Sequence, residues 1–384
     1  MNRFFQLMIV ACGLAISASN ANAARRYAKV SATGSGNCNT WADACTLSNA
    51  IVASTSGDQI WVMAGSYVPF ELKEGVKIIG GFAGTEFSVL QSSPASNLTI
   101  VDGGGSQRTV YGANLGASTM LRGFKIINGI DADDKGGGGL MLSDSSALIV
   151  QCTFENNSAS VMGGAVMVKG IGSPQFINCI FRNNGATSPS SPPYEGGAVF
   201  LTAISPVSFT NCLFHNNKAG GGGGVAKVPG TEAIFNNCTF ADNQATMTRG
   251  GAISDESGAV SLRNCILWGN TRIQSGAPLA DQIHSPGYGA KVQHSDIAGG
   301  WPGAGNINAN PQFLNAAGGD YQLQSTSPCK NTGDTSALPA DTGDLDWDTN
   351  TVEPLPTDLL LSGRIWDTTV DMGPYEYSEP ESPE

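Results

Sequence analysis

Bulky apolar residues recur at two fixed places around a repeated cysteine. Three positions before it stand Ile149, Phe176, Phe209, Phe235 and Leu262, and two positions after it stand Phe154, Phe181, Phe214, Phe240 and Leu267. An odd separation along an unbroken strand puts two side chains on opposite faces, so burying both sets requires a bend between them. Asn178, Asn211, Asn237 and Asn264 directly precede four of the cysteines, and Asn tolerates the left-handed backbone such a bend needs. If these bends stack at the strand spacing of about 4.8 Å, their amides are expected to form a ladder.

The cysteines themselves, Cys152, Cys179, Cys212, Cys238 and Cys265, are 27, 33, 26 and 27 residues apart. A solenoid produces such a period; an ordinary two-layer domain does not. Each cysteine phrase is followed by another asparagine, at Asn157, Asn184, Asn217, Asn243 and Asn270, and after the first four a glycine pair such as Gly163-Gly164 or Gly250-Gly251 opens the next strand. The predicted fold is all-β: a single-stranded right-handed parallel β-helix of about ten coils, roughly 50 Å long. Its hand follows from the general preference of parallel crossovers.

The cysteine column lies between core positions, so these thiols are expected to be buried, free and unmetallated, without C-x-x-C spacing or a histidine partner. Cys38 and Cys45 are read differently, as a disulfide stapling an N-terminal cap in which Trp41, Leu47, Ile51 and Val52 follow partly helical spacing. Cys329 is assigned to burial rather than reactivity.

The start of the chain reads as a leader. Arg3, the apolar run Phe4 to Ile16 and the sequence Ala21-Asn22-Ala23 resemble a secretory signal peptide, with Ile9-Val10-Ala11-Cys12 as an alternative lipid-attachment site through Cys12. The expected organisation is a signal peptide at 1–23, a cap at 24–56, the parallel β-helix at 57–305, terminal coils and a wrapping segment at 306–377, and a polar tail at 378–384. No later stretch has the continuous apolar length of a membrane helix, so no transmembrane segment is expected in the mature chain. The net charge of −12, with no basic patch, argues against nucleic acid and for divalent cations.

Two acidic groups are candidate Ca2+ ligands: Asp131, Asp133 and Asp134, and Asp341, Asp344, Asp346 and Asp348. Neither follows a complete calcium-loop pattern. The basic residues Lys169, Arg182, Lys227, Arg249 and Arg263 lie near repeated strands but read as a solvated face, and His215 reads as a solvent-facing turn residue. Asp242 and Asp255 are possible hydrolase carboxylates whose spacing does not establish proximity. The loop Gly185 to Glu195 interrupts the period with Pro189, Pro192, Pro193 and Tyr194, and Tyr194 offers a surface on which a sugar can stack.

Phe154-Glu155-Asn156-Asn157, Phe181-Arg182-Asn183-Asn184 and Phe214-His215-Asn216-Asn217, alternating with Gly-Gly-Ala-Val at 163–166 and 196–199, resemble the repeats of chlamydial polymorphic outer-membrane proteins. The start at Gly57-Asp58 and the close at Asp346, Arg364 and Asp371 to Glu376 resemble a group of bacterial secreted right-handed β-helix proteins that often end in surface-anchoring segments. The resemblance implies a bacterial β-helix protein, secreted or attached to the cell surface, and is specific for fold rather than activity; the expected function is binding of an extracellular polysaccharide or a surface protein without catalysis. The alternative is a calcium-assisted polysaccharide lyase or a glycoside hydrolase.

Overall fold

The computed structural model describes residues 23–131, 133–186, 195–247, 250–256, 258–286 and 289–378. Nearly all of the expected leader, with Cys12, together with Tyr194, its neighbouring prolines and the tail from residue 379, lies outside the described residues.

Short strands wind into stacked parallel sheets. Sheet A has eleven strands and runs from Cys45–Thr46 and Arg25–Lys29 at one end to Lys291–Gln293 at the other. Sheet B has nine, from Gly65–Tyr67 to Asp296–Ile297, and sheet C has eight, from Phe70–Glu71 to Ile283–His284. A narrow sheet D has six strands and ends in the antiparallel hairpin Thr271–Gln274 and Ala277–Ala280. Pro278 lies in that outermost strand, which suits an edge that must not recruit another chain.

In-register pairing puts like on like. Phe154, Phe181, Phe214, Phe240 and Leu267 are successive partners in sheet B, and Ile149, Phe176, Phe209, Phe235 and Leu262 are successive partners in sheet A. The rings stack along each column, with centroids 4.6 Å apart for Phe181 and Phe214 and 4.9 Å for Phe176 and Phe209. The two columns meet edge to face, as at Phe209 and Phe214 with centroids 5.6 Å apart. Such pairs add about 0.5–1.5 kcal/mol each beyond the burial of their area.

The bend between the columns is where the apolar spacing places it: Gln151, Asn178, Asn211, Asn237 and Asn264 have φ between 50° and 55°. Their amide ladder, however, is broken. Asn211 donates to Asn178 Oδ1 at 3.0 Å and Asn264 to Asn237 Oδ1 at 3.4 Å, but Asn211 Oδ1 accepts no hydrogen bond. These amides also donate to the chain that covers them, at Thr357 O, Asp371 O and Asp334 O. Competition from those carbonyls explains the interruption. The continuous ladder is instead the later asparagine of each coil. Asn157, Asn184, Asn217 and Asn243 each donate through Nδ2 to Oδ1 of the next, at 3.1, 3.0, 2.9 and 2.8 Å, and Asn270 ends the series on Gln282 Oε1 at 2.7 Å.

The five repeated cysteines are free and buried, each S–H donating to carbonyls such as Ile149 O from Cys179. Burial pushes the thiols of Cys152, Cys179, Cys212 and Cys238 well above their ordinary range. Cys38 and Cys45 form a disulfide, with Cα atoms 4.8 Å apart. Beside it the helix Leu47–Ala53, capped by the Thr46 hydroxyl, buries Leu47 and Ala50, while Val52 is 78% exposed.

Beyond residue 306 the chain returns along the outside of the coils. Leu345 and Leu355 cover Met120, Leu148, Val150 and Ile177 on sheet A, while Tyr321 and Tyr375 cover Leu213 and Ala241 on sheet B. Arg364, 1% exposed, fastens this cover to itself by donating to Asp371 O and Gly373 O and pairing with Glu376 at 3.1 Å.

Candidate functional site

Sheet B is covered unevenly, and the gap forms a groove. At one end the segment 89–98 folds over it, with Pro94 so close to Gly123 that a Cβ there would meet Pro94 Cγ at 2.8 Å. Gly123 also has φ of 77°, so the tight approach and the backbone both require glycine. Further along the stack, Tyr321 and Tyr375 close the surface again. Between them lies a groove of about 280 Å³ lined by Leu98, Lys125, Gln151, Thr153, Ile180 and Arg182, among others.

The polar side chains here follow from register. Each residue after a core Phe points outward, so Glu155, Arg182 and His215 are successive partners along one row. Lys125 pairs with Thr153 in the neighbouring row. Glu155 Oε2 receives Lys125 Nζ at 2.7 Å and Arg182 Nη2 at 2.9 Å. Burial acts to raise the Glu155 carboxyl, but hydrogen bonds from these two cations outweigh it and hold the group below the usual carboxylate range. Two cations sharing one carboxylate leave the groove with an excess of positive charge on a chain whose net charge is −12. Arg182 was visible in the sequence as a basic residue; Lys125 and Glu155 were not singled out, although the position after each Phe was the signal that finds Glu155.

His215 departs from the expectation of a solvent-facing turn. It is 5% exposed, its ring lies 5.0 Å from that of Tyr321, and burial, assisted by Arg182, pushes its pKa down to about 4. Lys227 departs likewise from a solvated face. In sheet C it occupies the column of Leu142, Val168 and Leu201, and it pairs at 2.7 Å with Asp255, the next member, both side chains being wholly buried. Asp255 also accepts from Gly258 N and from the Ser285 hydroxyl, whereas Asp242 accepts from Tyr321, so the two carboxylates considered for hydrolysis serve different partners. Arg249 and Tyr194 lie outside the described residues.

The two acidic groups differ. Asp131 accepts from Gly136 N and Ser160 N, and Asp134 from the Ser160 hydroxyl. Asp133 is bound by Lys135 at 2.8 Å and Arg108 at 2.6 Å, whose hydrogen bonds lower its pKa to about 2. Protein partners therefore already occupy this group. In the other, oxygens of Asp344, Asp346 and Asp348 lie within 4.8 Å of one another, and so do those of Asp341, Asp346 and Glu353. Glu353 escaped sequence reasoning because a bridge between Ala340 and Pro354, with Asp341 N donating to Glu353 O at 2.8 Å, is what brings it to Asp341.

Residues 110–297 match the family described as right handed beta helix region, and residues 32–181 match a family described as protein of unknown function (DUF1565). With its stacked parallel sheets, the chain is a parallel β-helix repeat protein. Among solved structures it is similar to the crystal structure of pectate lyase Pel9A, with TM-score 0.47 and 12% identity over 93% of this chain and 97% of that one. No curated protein sequence matches it. Among the described residues no helix is long and apolar enough to cross a membrane.

Proposed function

We propose that this chain is an exported surface or matrix protein that binds an acidic extracellular polysaccharide in the sheet B groove and catalyses no reaction on it. The observation that carries this reading is the Lys125, Glu155 and Arg182 cluster, which offers cationic hydrogen-bond donors beside the apolar surface of Leu98 and Ile180. Sugar carboxylates are recognised by such donors, and sugar C–H faces by such apolar surface. Binding is favoured over catalysis because Glu155 is held ionised by both cations, whereas a general acid needs a raised pKa. Export is supported by the Cys38–Cys45 disulfide and by the leader-like start of the chain. Calcium, in this reading, belongs to the acidic loop of the C-terminal cover rather than to the groove.

The test is incubation of the purified protein with acidic and neutral polysaccharides, reading retained glycan, new reducing ends and unsaturated products together. Salt-sensitive retention of acidic glycans is expected, weakened at least about tenfold in the Lys125→Ala/Arg182→Ala double variant. Products that disappear in that variant would replace the reading with a lyase or hydrolase. Retention unaffected by the double variant, or of no glycan at all, would sink the groove and favour a protein partner.

A further inference from the structure

The loop from Asp341 to Glu353 carries five carboxylates and no Lys or Arg. It is nonetheless pressed against the coils. Leu345 is buried with Met120, Leu148, Val150 and Ile177, Arg122 Nη1 donates to Leu345 O at 3.1 Å, and Lys77 Nζ lies 4.9 Å from the centre of the Trp347 ring. Acidic side chains crowd the surface of many proteins without binding anything. Two atoms separate this group from that case.

Asp341 is wholly buried, and while its Oδ2 accepts from Leu345 N, its Oδ1 has no hydrogen-bond partner. Glu353 Oε1 is likewise buried and without a partner, its Oε2 being taken by Asn350 Nδ2. Both residues belong, with Asp346, to the triad whose oxygens lie within 4.8 Å of one another. A buried carboxylate oxygen facing other carboxylates carries a penalty from lost solvation and from like charge; Arg122 attracts Asp341 from a distance, but no described ion pair forms at Asp341. A cation removes both penalties at once.

We infer that Asp341, Asp346 and Glu353 hold one divalent cation, and that this ion braces the loop whose Leu345 packs on sheet A. The ligand set selects the ion: all oxygen, all carboxylate, on an irregular loop, which suits Ca2+ over the thiolate- and imidazole-seeking metals. Asp344 and Asp348 add negative charge from the exposed side, where their Oδ1 atoms already accept from Thr349 N and Asn350 N. The site stands apart from glycan binding on sheet B, so the failure of either experiment leaves the other standing.

The full chain, stripped with chelator, is titrated with CaCl2 by calorimetry and with TbCl3 under tryptophan excitation, because Trp347 sits between two of the acidic residues. One equivalent of Ca2+ should bind, Tb3+ emission should appear and be displaced by Ca2+, and Ca2+ should raise the melting temperature. Asp341→Asn and Glu353→Gln should each weaken binding at least about tenfold, while Asp133→Asn should leave it unchanged. Without Ca2+, Asp341→Asn should melt higher than the unaltered protein, since it removes an uncompensated charge; with Ca2+ the order should reverse. Absence of both heat and a melting shift overturns the site. So does binding that survives Asp341→Asn and Glu353→Gln but is lost in Asp344→Asn/Asp348→Asn.

Discussion

Replacing Asn217 by Ala tests the ladder at its centre. The residue is fully buried, its backbone lacks the positive φ of its neighbour Asn216, and alanine therefore adds no conformational strain. Its side chain donates to Asn243 Oδ1 and Phe181 O, both at 2.9 Å, and accepts from the backbone and side-chain amides of Asn184, both at 3.0 Å. After truncation Asn243 Oδ1 keeps the backbone amide of residue 217, and the Asn184 side chain keeps Phe154 O. The Asn184 backbone N–H keeps nothing. That orphan costs about 1–3 kcal/mol, and the three other lost bonds about 1 kcal/mol each, for a total of about 4–6 kcal/mol. The comparison is Asn237→Gly in the broken ladder, where the bonds are 3.3 and 3.4 Å and glycine suits the φ of 52°. Its expected loss is about 1 kcal/mol. Urea unfolding of both variants measures the difference, and hydrogen exchange at the Asn184 amide should accelerate in Asn217→Ala alone. Equal losses, or a loss below about 1 kcal/mol for Asn217→Ala, would refute the account of a ladder that carries the stack.

Two further outcomes follow from buried ionisable groups. Lys227→Met leaves Asp255 charged inside the coil and should cost about 3–5 kcal/mol, most of which Lys227→Met/Asp255→Leu should restore; a double variant less stable than the single one would contradict the pairing. Asp296, which accepts from Ala309 N and the Cys329 thiol, is raised by burial from 3.8 to about 6. Its stabilising effect is thus full below about pH 4 and lost as pH rises through about 6, whereas His215, depressed from 6.5 to about 4, loses its effect as pH falls through that same range. Asp296→Asn should remove the first slope, raising the melting temperature at pH 7.5 relative to pH 4.5; an unchanged pH profile would count against it.

The coil was legible because its signal repeats. Phe154, Phe181, Phe214 and Phe240 occupy one register five coils deep with Leu267, so sequence spacing alone locates the bend, the core columns and the thiols. The ladder was misplaced because two asparagines recur in every coil, and only the path of the cover decides which amides meet competing carbonyls. Lys227 was misread as surface because it appears once. Its column in sheet C is otherwise Leu142, Val168 and Leu201, so the register, rather than the residue type, held the answer. The groove was invisible for a different reason: Pro94 and Leu98, which close it over the coil residues, come from a segment that has no period.

A solenoid coil touches only the coils above and below it, so damage at one position has no direct route to distant ones. The C-terminal cover changes that. Through Leu345 and Leu355 it reaches Met120, Leu148 and Ile177, and through Tyr321 and Met372 it reaches Leu213 and Ile266, tying coils that never pair with each other. Its two ends are fixed by opposite electrostatic means. At one a buried cation, Arg364, gathers carbonyls and Glu376; at the other, on sheet A, a surplus of carboxylates faces Arg122 across Leu345 O. What distinguishes the second end is its buried carboxylate oxygens without a partner, at Asp341 and Glu353, a penalty that external calcium can relieve. An ion acting there would therefore stabilise coils from the one bearing Met120 to the one bearing Ile177 together, through cover contacts rather than strand pairing.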